Sequence, residues 1–259
     1  MVVFAGQGDA RRSMALLWRT GEPGEVRPGP KPGLSVDAIV DAAIAVADSE
    51  GMAALSMRRV GERLGRTGMA LYTYVPSKGE LVDLMYDRAL AELPTGHDLS
   101  GGWRAAVTSW AEDVLAFYLR HPWVLQVSQA RPVLGPNEFA MLDGLVRILR
   151  ETGLRPRRMR GVVALLSDFV RGAARTVSES RQAPSATGVS DEEWWRARSS
   201  LLEEVAPGFA ARFPMVTWVE SEDDGPATDE PYLEHRVGET FAGGLAVLLD
   251  GIEVAVKSG

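Results

Sequence analysis

The sequence predicts an all-α fold in which three short helices precede a larger helical bundle. Apolar residues recur with the helical period from Ser35 onward, and no segment shows the strict alternation of a strand. Serine residues before and glycine residues after several of these segments are typical of helix ends. The 259 residues are 46% hydrophobic and 24% charged, which is the balance of a globular protein.

Residues 1–33 are expected to form a flexible N-terminal extension. The run GEPGEVRPGPKPG at 21–33 holds proline and glycine at a density that excludes a helix or a central strand. Residues 10–19 are compatible with a short helix, and nothing in the sequence requires that helix to dock.

The first two helices of the next segment are marked at both ends. One is predicted over about 36–50, with Ser35 as its N-cap and Gly51 as its C-terminal stop. A shorter helix should begin after Ser56 and stop at Gly65. Both have an apolar stripe that one small core can bury.

Two further helices complete this first region. The third should run from about Thr67 to a point before Pro76, because proline cannot continue a helix. The fourth opens with a capping box in which Ser77 and Glu80 satisfy each other's backbone donors, and it should end near Leu93.

Longer helices follow residue 100. They are predicted over about 103–120, 122–130, 136–151, 156–180, 191–206 and 232–256. The polar stretch SRQAPSATGVSD at 180–191 and the acidic stretch SEDDGPATDEP at 221–231 predict loops. We therefore divide the chain into the extension 1–33, a small domain 34–80 and a larger domain 81–259.

A basic window lies in the small domain, although the whole chain has a formal charge of −7. Residues 51–78 hold Glu62 as their single acidic residue and five basic residues: Arg58, Arg59, Arg63, Arg66 and Lys78. Screening acts over about 8 Å at physiological salt, so a local basic patch can attract a polyanion on an acidic protein. The alternative is a solvated helical face, and charge alone does not separate the two.

Three short helices with a glycine-marked turn describe a helix-turn-helix, whose second helix enters the major groove of DNA. Gly65 suits the turn, and the small residues Gly68 and Ala70 would let the helix approach the groove floor. Hydroxyl groups and rings for phosphates and thymine methyls are offered by Tyr72, Thr73 and Tyr74. For Tyr72, packing in the core and contact with phosphate are equally compatible with the sequence.

Several motifs recur here in one order with tight spacing: Gly51 at the first helix end, LSMRRVGERLG at 55–65, LY at 71–72 and SKGEL at 77–81. Through them, residues 35–93 resemble the DNA-binding domain of TetR-family transcriptional regulators. The resemblance implies DNA contacts at Arg58, Thr67, Gly68, Met69, Ala70, Tyr72, Thr73, Tyr74 and Lys78. Arg66 departs from the family pattern, which usually has a small apolar residue there.

The extension offers a second DNA-binding element. An arm carrying Arg27 and Lys31 in a Pro/Gly-rich chain is able to follow the minor groove. The alternative is a disordered tail with two ordinary cations.

The segments FYLRHPWV at 117–124 and FAGGLAVLLDGIE at 241–253 resemble the C-terminal domain of the tetracycline-repressor branch. The resemblance implies a homodimer through helices at about 157–180 and 232–256, bound to palindromic double-stranded operator DNA. The last helix also has a broad apolar face made by Val237, Phe241, Leu245, Leu248 and Ile252. A helix buried within one subunit would have such a face as well.

The same branch implies a repressor that a small hydrophobic effector releases from DNA, with an efflux gene as its target. The candidate effector contacts are Trp110, Phe117, Trp123, Gln126, Gln129, Met141, Phe169, Arg171 and Thr176. The supply of aromatic side chains favours a flat, polycyclic, antibiotic-like ligand over a sugar or an amino acid. The same DNA chemistry would serve an activator.

Other classes find little support. The chain has no cysteine, no GxSxG elbow and no phosphate-binding glycine loop, so we expect no enzyme. Its three histidines lack ligand spacing, so we expect neither a metal nor a cofactor. No apolar run is long enough to cross a membrane, and we expect a cytoplasmic protein. The alternative is a helical ligand-binding protein or enzyme whose N-terminal domain only packs.

Overall fold

The computed structural model describes residues 2–20, 34–222 and 232–257. Helices dominate these ranges, and the one extended pairing within them is an isolated parallel bridge between Val3 and Val127. The α-helices in chain order are α1 (Ala10–Leu17), α2 (Val36–Glu50), α3 (Met57–Arg63), α4 (Gly68–Leu71), α5 (Lys78–Leu90), α6 (Gly102–Arg120), α7 (Pro136–Arg150), α8 (Pro156–Thr187), α9 (Asp191–Val205), α10 (Phe209–Arg212), α11 (Pro214–Val219) and α12 (Tyr232–Lys257). The predicted all-α class is confirmed.

Helices α2–α4 lie in the predicted small domain, and α2 and α3 begin at the predicted caps. Helix α4 is shorter than predicted: it covers only Gly68–Leu71 and ends well before Pro76. The Ser35 hydroxyl accepts from the backbone of Ala38 at 3.1 Å, and the Ser56 hydroxyl accepts from that of Arg59 at 3.1 Å. Gly51 ends α2 with φ of 78°, a conformation that favours glycine. The core of this domain is built from fully buried apolar residues, among them Ile39, Val46, Val60 and Leu71.

Helix α5 connects the small domain to the bundle. Its N-cap Ser77 accepts from the backbone of Gly79 and Glu80, which is one half of the predicted capping box. The other half is not observed, because the Glu80 carboxylate accepts from the Ser77 hydroxyl rather than from the Ser77 backbone N–H. The helix packs against α1, α2 and α7, so it is buried on most of its sides. Even Asp83 and Asp87 lie in its buried surface. A displacement of α5 would therefore be felt in both domains.

The bundle is formed by α6, α7, α8 and α12, with α8 in contact with the other three. The apolar face of α12 that the sequence analysis assigned to dimerisation does not point outward. Phe241, Leu245 and Ile252 are buried inside their own subunit. Phe241 stacks on Phe169 of α8 at 5.4 Å. The face predicted for dimerisation thus packs within the subunit, because it complements α8.

Two predicted boundaries in this domain are wrong. The helix predicted over about 156–180 continues to Thr187, although residues 180–191 were expected to form a loop. Pro184 stands near the end of the helix, where it removes a single backbone donor, and Gly188, with φ of 75°, is the C-cap that follows Thr187. Residues 122–130 hold a short 3-10 helix at Pro122–Gln126 in place of a longer helix.

The N-terminal extension is not free over residues 2–20. Ala5 is 1% exposed and Leu17 is also buried in the main hydrophobic core. Helix α1 packs along α5. The prediction of a flexible extension is therefore wrong for residues 2–20. The contacts that order this segment join residues far apart in the chain, so the local sequence does not reveal them. Arg27 and Lys31 lie outside the described residues.

Candidate DNA-binding surface and effector site

Two glycines bring α3 and α4 into backbone contact. A Cβ atom on Gly61 would lie 2.8 Å from the Arg66 carbonyl oxygen and 2.9 Å from the Gly68 nitrogen. A Cβ on Gly68 would lie 3.1 Å from the Arg58 nitrogen. Glycine at 68 is therefore required for packing on α3, a different reason from the predicted approach to the groove floor. The backbones of α3 and α4 are therefore packed directly against each other.

The predicted DNA-contact residues fall into two groups. Met69 is 75% exposed and Tyr72 is 42% exposed, both at α4. Exposed side chains also occur at Arg58, Thr67, Thr73 and Lys78. Ala70 and Tyr74 are partly buried and pack against the core. The exposed residues supply hydrogen-bond donors, one apolar side chain and positive charge along α4 and at the starts of α3 and α5.

The basic residues of this surface differ in their partners. Arg59 pairs with Glu50 at 2.8 Å and so ties α3 to the end of α2. Arg58 pairs with Glu62 at 3.3 Å. Within the described residues, Arg63, Arg66 and Lys78 have no ion-pair partner; these three charges are available to an external anion such as phosphate.

A polar junction joins the small domain to the bundle. Asp48 of α2 lies 2.8 Å from His121 Nδ1 and accepts from Trp123 Nε1 at 2.8 Å. Glu92 lies 3.2 Å from His121 Nε2. Desolvation lowers the pKa of His121, but the hydrogen bonds to Asp48 and Glu92 outweigh it and raise the pKa above its ordinary value.

A cluster of polar side chains lies where α5, α6 and α8 meet the loop after the 3-10 helix; its two tyrosines are buried, Arg171 is half-buried and Gln129 is exposed. Arg171 Nη2 donates to the carbonyls of Leu125 and Val127 at 2.7 and 2.9 Å. The Arg171 guanidinium stands 5.8 Å from the centre of the Tyr118 ring. Burial raises the pKa of Tyr118 and of Tyr86, although hydrogen bonding to Gln129 lowers it for both. We call Tyr86, Tyr118, Gln129 and Arg171 the polar cluster.

The cluster includes two predicted residues, Gln129 and Arg171, and two that sequence reasoning missed. Tyr118 lies in the segment FYLRHPWV at 117–124, but helical periodicity does not distinguish a buried tyrosine hydroxyl from an ordinary core side chain. On α6, the Trp110 Nε1 donor is buried and has no hydrogen-bond partner among the described residues. An unpaired buried donor costs about 1–3 kcal/mol, which a ligand oxygen could recover.

The remaining predicted effector residues are dispersed. Phe117 packs against His121, with ring centres 5.4 Å apart, so it belongs with Trp123 to the domain junction. Phe169 lies between α8 and α12, and Thr176 is exposed on α8. Met141 and Gln126 are half-buried. The nine predicted residues therefore do not form one chamber.

A separate cleft of about 580 Å³ opens between α6 and α12. Its walls are mainly apolar and include Leu115, Leu119, Phe241 and Leu245. Arg104 lies at its edge, paired with Asp250 and Glu253 of α12 at 2.6 and 3.2 Å. Trp110 and Phe117 of α6 are among the predicted effector contacts, whereas no residue of α12 is.

A helix-turn-helix domain fused through a buried helix to a helical bundle defines a class of transcriptional regulators that bind DNA. Residues 39–85 match the family described as bacterial regulatory proteins, tetR family. Residues 95–256 match the tetracyclin repressor-like C-terminal domain. The chain belongs to the TetR family, and the predicted resemblance is confirmed.

Relatives of known name agree with this assignment. The HTH-type transcriptional repressor DrrR1 of Streptomyces coeruleorubidus is 41% identical over 255 residues, which cover 97% of this chain and 88% of the relative. An HTH-type transcriptional regulator of Saccharopolyspora erythraea is 30% identical over 185 residues, covering 71% and 77%. The chain is thus similar to regulators along most of its length.

Solved structures extend the likeness to the fold. ActR of Streptomyces coelicolor, in complex with actinorhodin, is 26% identical with a TM-score of 0.68, over 85% of this chain and 95% of that one. SCO7222, a TetR from the same organism, is 21% identical with a TM-score of 0.65, over 85% and 98%. At that identity the second likeness shows the fold alone.

Two absences can be stated for the described parts of the chain. None of their helices is both long and apolar enough to cross a membrane. Over the same ranges, no group of three or more histidine, aspartate or glutamate side chains is placed to hold a metal ion.

Proposed function

We propose that the protein is a homodimeric repressor that binds palindromic operator DNA through α4 and is released by a small hydrophobic effector. The observation that carries the proposal is the exposed set Met69, Tyr72, Thr73 and Lys78, at and just after a helix that Gly61 and Gly68 hold firmly against α3. Similarity to a named repressor over 97% of the chain supports repression rather than activation.

The dimer would form through the outward faces of α8 and α12. Leu165 of α8 is 49% exposed and Val247 of α12 is 69% exposed. Both helices also carry glycines at which an added Cβ would have no atom within 4 Å: Gly161 and Gly172 on α8, and Gly243 and Gly251 on α12. Exposed apolar side chains between open glycines allow two helices to approach closely, and a two-fold operator requires a two-fold protein.

The effector would bind beside the polar cluster. Arg171 and the phenols of Tyr86 and Tyr118 offer donors to oxygen atoms, while the surrounding bundle is apolar. The effector class that fits is a flat, hydrophobic molecule with polar oxygens at its edge. The ActR structure, which is 26% identical, holds actinorhodin, and this supports a polycyclic effector here.

Release of DNA would follow from a change in the junction. The two α4 helices must lie about 34–36 Å apart to enter successive major grooves. Asp48 and His121 tie the small domain to the end of α6, so movement of α6 would alter that spacing. An effector that prefers the DNA-free state a hundredfold supplies about 2.7 kcal/mol for this change.

The test begins with selection of bound sequences from a random double-stranded DNA pool at near-physiological salt. We expect an enriched palindrome with half-sites about one turn apart. Tyr72→Ala should weaken binding to it, while Trp195→Ala, which truncates an exposed aromatic residue on α9, should not. The alternative, a ligand-binding protein or enzyme whose first domain only packs, predicts no enrichment.

The selected operator would also test the finer predictions. Its position next to a transporter gene would support control of efflux. Loss of affinity on replacing Arg27 and Lys31 together would support a minor-groove arm. A repressor of a bacterial chromosome acts in the cytoplasm, which is where we propose that this protein resides.

A further inference from the structure

The first residues of the chain make ordered contacts with the bundle. We call residues 2–9 the N-terminal strap. Val3 donates its backbone N–H to the Gln126 carbonyl at 2.8 Å and accepts from the Ser128 N–H at 2.7 Å. Three residues on, the Gly6 N–H donates to the Asp83 carboxylate, 3.0 Å from Oδ2. The strap thus joins segment 125–128 to α5.

Segment 125–128 is also the segment that Arg171 holds. Arg171 donates to the carbonyls of Leu125 and Val127, and Val3 pairs with the residues between and beyond them. A ligand atom that drew Arg171 away would remove two hydrogen bonds from this segment. The pairing with Val3 would weaken with it, because both depend on the same backbone.

The other end of the strap acts on a buried charge. Asp83 is 3% exposed, and burial raises its pKa to about 6, against the lowering effect of the Gly6 N–H. At neutral pH the carboxylate is therefore ionised inside the protein, and the Gly6 N–H is its hydrogen-bond donor among the described residues. Asp83 lies on α5, five positions after Lys78. Lys78 is the first residue of α5 and belongs to the candidate DNA-binding surface.

Helix α1 fastens the strap across both domains. Trp18 Nε1 donates to the Leu134 carbonyl at 2.9 Å, next to α7. Arg19 pairs with Asp37 in the first turn of α2. Arg19 and Leu134 have φ of 53° and 62°, which non-glycine residues rarely adopt. Such strain persists only where surrounding contacts impose it, and here it lies at both anchor points.

We propose that the N-terminal strap is an intramolecular coupling element, which transmits the state of the Arg171 segment to α5. Its regulatory meaning rests on the proposed function, since Arg171 belongs to the proposed effector site. The coupling itself is a property of the fold and is measurable without an effector or an operator.

Amide hydrogen exchange of the full-length protein tests the coupling. Val3→Pro removes the N–H that Gln126 accepts, and Val2→Pro is the matched control, because Val2 is exposed and its N–H has no hydrogen bond within the described residues. Arg171→Met releases segment 125–128 from the bundle, and Arg175→Met on the exposed side of α8 is its control.

We expect Val3→Pro and Arg171→Met each to raise exchange about tenfold or more in 125–128 and also around Asp83 in α5. The double variant should add little in α5, because both changes act through one element. Both controls should match the wild type. Fast exchange of the strap and 125–128 with α5 unchanged would make the strap a passive cover and overturn the proposal. Failure to select an operator would instead contradict the proposed function and leave this result standing.

Discussion

The charges at the candidate DNA-binding surface illustrate how single residues differ in their partners. Arg59 is held by Glu50 and Glu62 and fixes α3 to α2. Lys78, at the first position of α5, has no ion-pair partner among the residues described. Side chains of the first kind stabilise the domain, and those of the second kind can contact phosphate.

Lys78→Ala should therefore weaken operator binding in a salt-dependent way. Each phosphate contact contributes about 0.9 to the slope of log K against log salt, so the slope should fall by roughly one per subunit. The slope is measured by fluorescence anisotropy of labelled operator DNA at salt concentrations from about 50 to 200 mM, where the affinity changes strongly with salt. Arg147→Ala removes a positive charge on α7 and should leave the slope unchanged.

His121 should make the domain junction sensitive to pH. Its folded pKa is raised above the ordinary 6.5, so its contribution to stability is complete below that value and is lost as pH rises through the folded pKa. The stability difference between the wild type and His121→Asn should thus shrink above pH 6.5. Thermal unfolding from acidic to alkaline pH measures the difference.

A control separates titration from packing at this junction. Trp123→Phe removes the other donor to Asp48 and leaves His121 in place. It should lower stability while retaining the pH dependence. A stability difference for His121→Asn that stays constant across the range would show that the imidazole does not titrate as expected.

At the scale of the element, α3 and α4 act as one unit because their backbones touch. Gly61→Ala would gain about 1 kcal/mol of helix propensity. The added Cβ would however meet the Arg66 carbonyl oxygen at 2.8 Å, and a backbone atom cannot move aside cheaply. We expect a net loss of about 1–3 kcal/mol in the free energy of unfolding, measured by urea denaturation.

Gly96→Ala is a control for the added methyl group alone, since Gly96 lies in a loop and a Cβ there would have no atom within 4 Å. Its effect on stability should stay within about 0.5 kcal/mol. Operator affinity should fall only for Gly61→Ala, because α4 is displaced only there. Equal stability of the two variants would count against the close packing of α3 and α4.

Elements with local end signals were predicted from the sequence. Ser35, Ser56 and Ser77 cap α2, α3 and α5 as expected, because a cap is an interaction between residues two or three positions apart. The polar composition around Pro184 suggested a loop, yet one proline near a helix end leaves most of the ladder intact.

The site was predicted only in part, for a related reason. The exposed residues at α4 are among those that the family resemblance implied, and their contact with DNA stays a prediction. Gly6 and Asp83 are 77 positions apart, and the residues of the polar cluster come from three helices and one loop. Contacts of that kind depend on the packing of whole helices, which periodicity does not specify.

At the scale of the molecule, the subunit alone cannot read a palindrome. Two α4 helices are needed at a fixed separation, so we expect the proposed dimer face to control DNA binding without touching DNA. The inward face of α12 is already used by α8, and its outward face carries Val247 between Gly243 and Gly251. The surface available for association is therefore opposite to the one that hydrophobicity alone suggested.

Val247→Glu should dissociate the dimer, because it places a charge where two copies of α12 would meet without water. We expect sedimentation equilibrium to show monomers at micromolar concentration and operator affinity to fall at least about a hundredfold, while circular dichroism stays unchanged. Leu142→Glu changes an exposed leucine on α7 and should remain dimeric. If Val247→Glu also remained dimeric, the interface would have to involve another surface, and the separation of the two α4 helices would be set there.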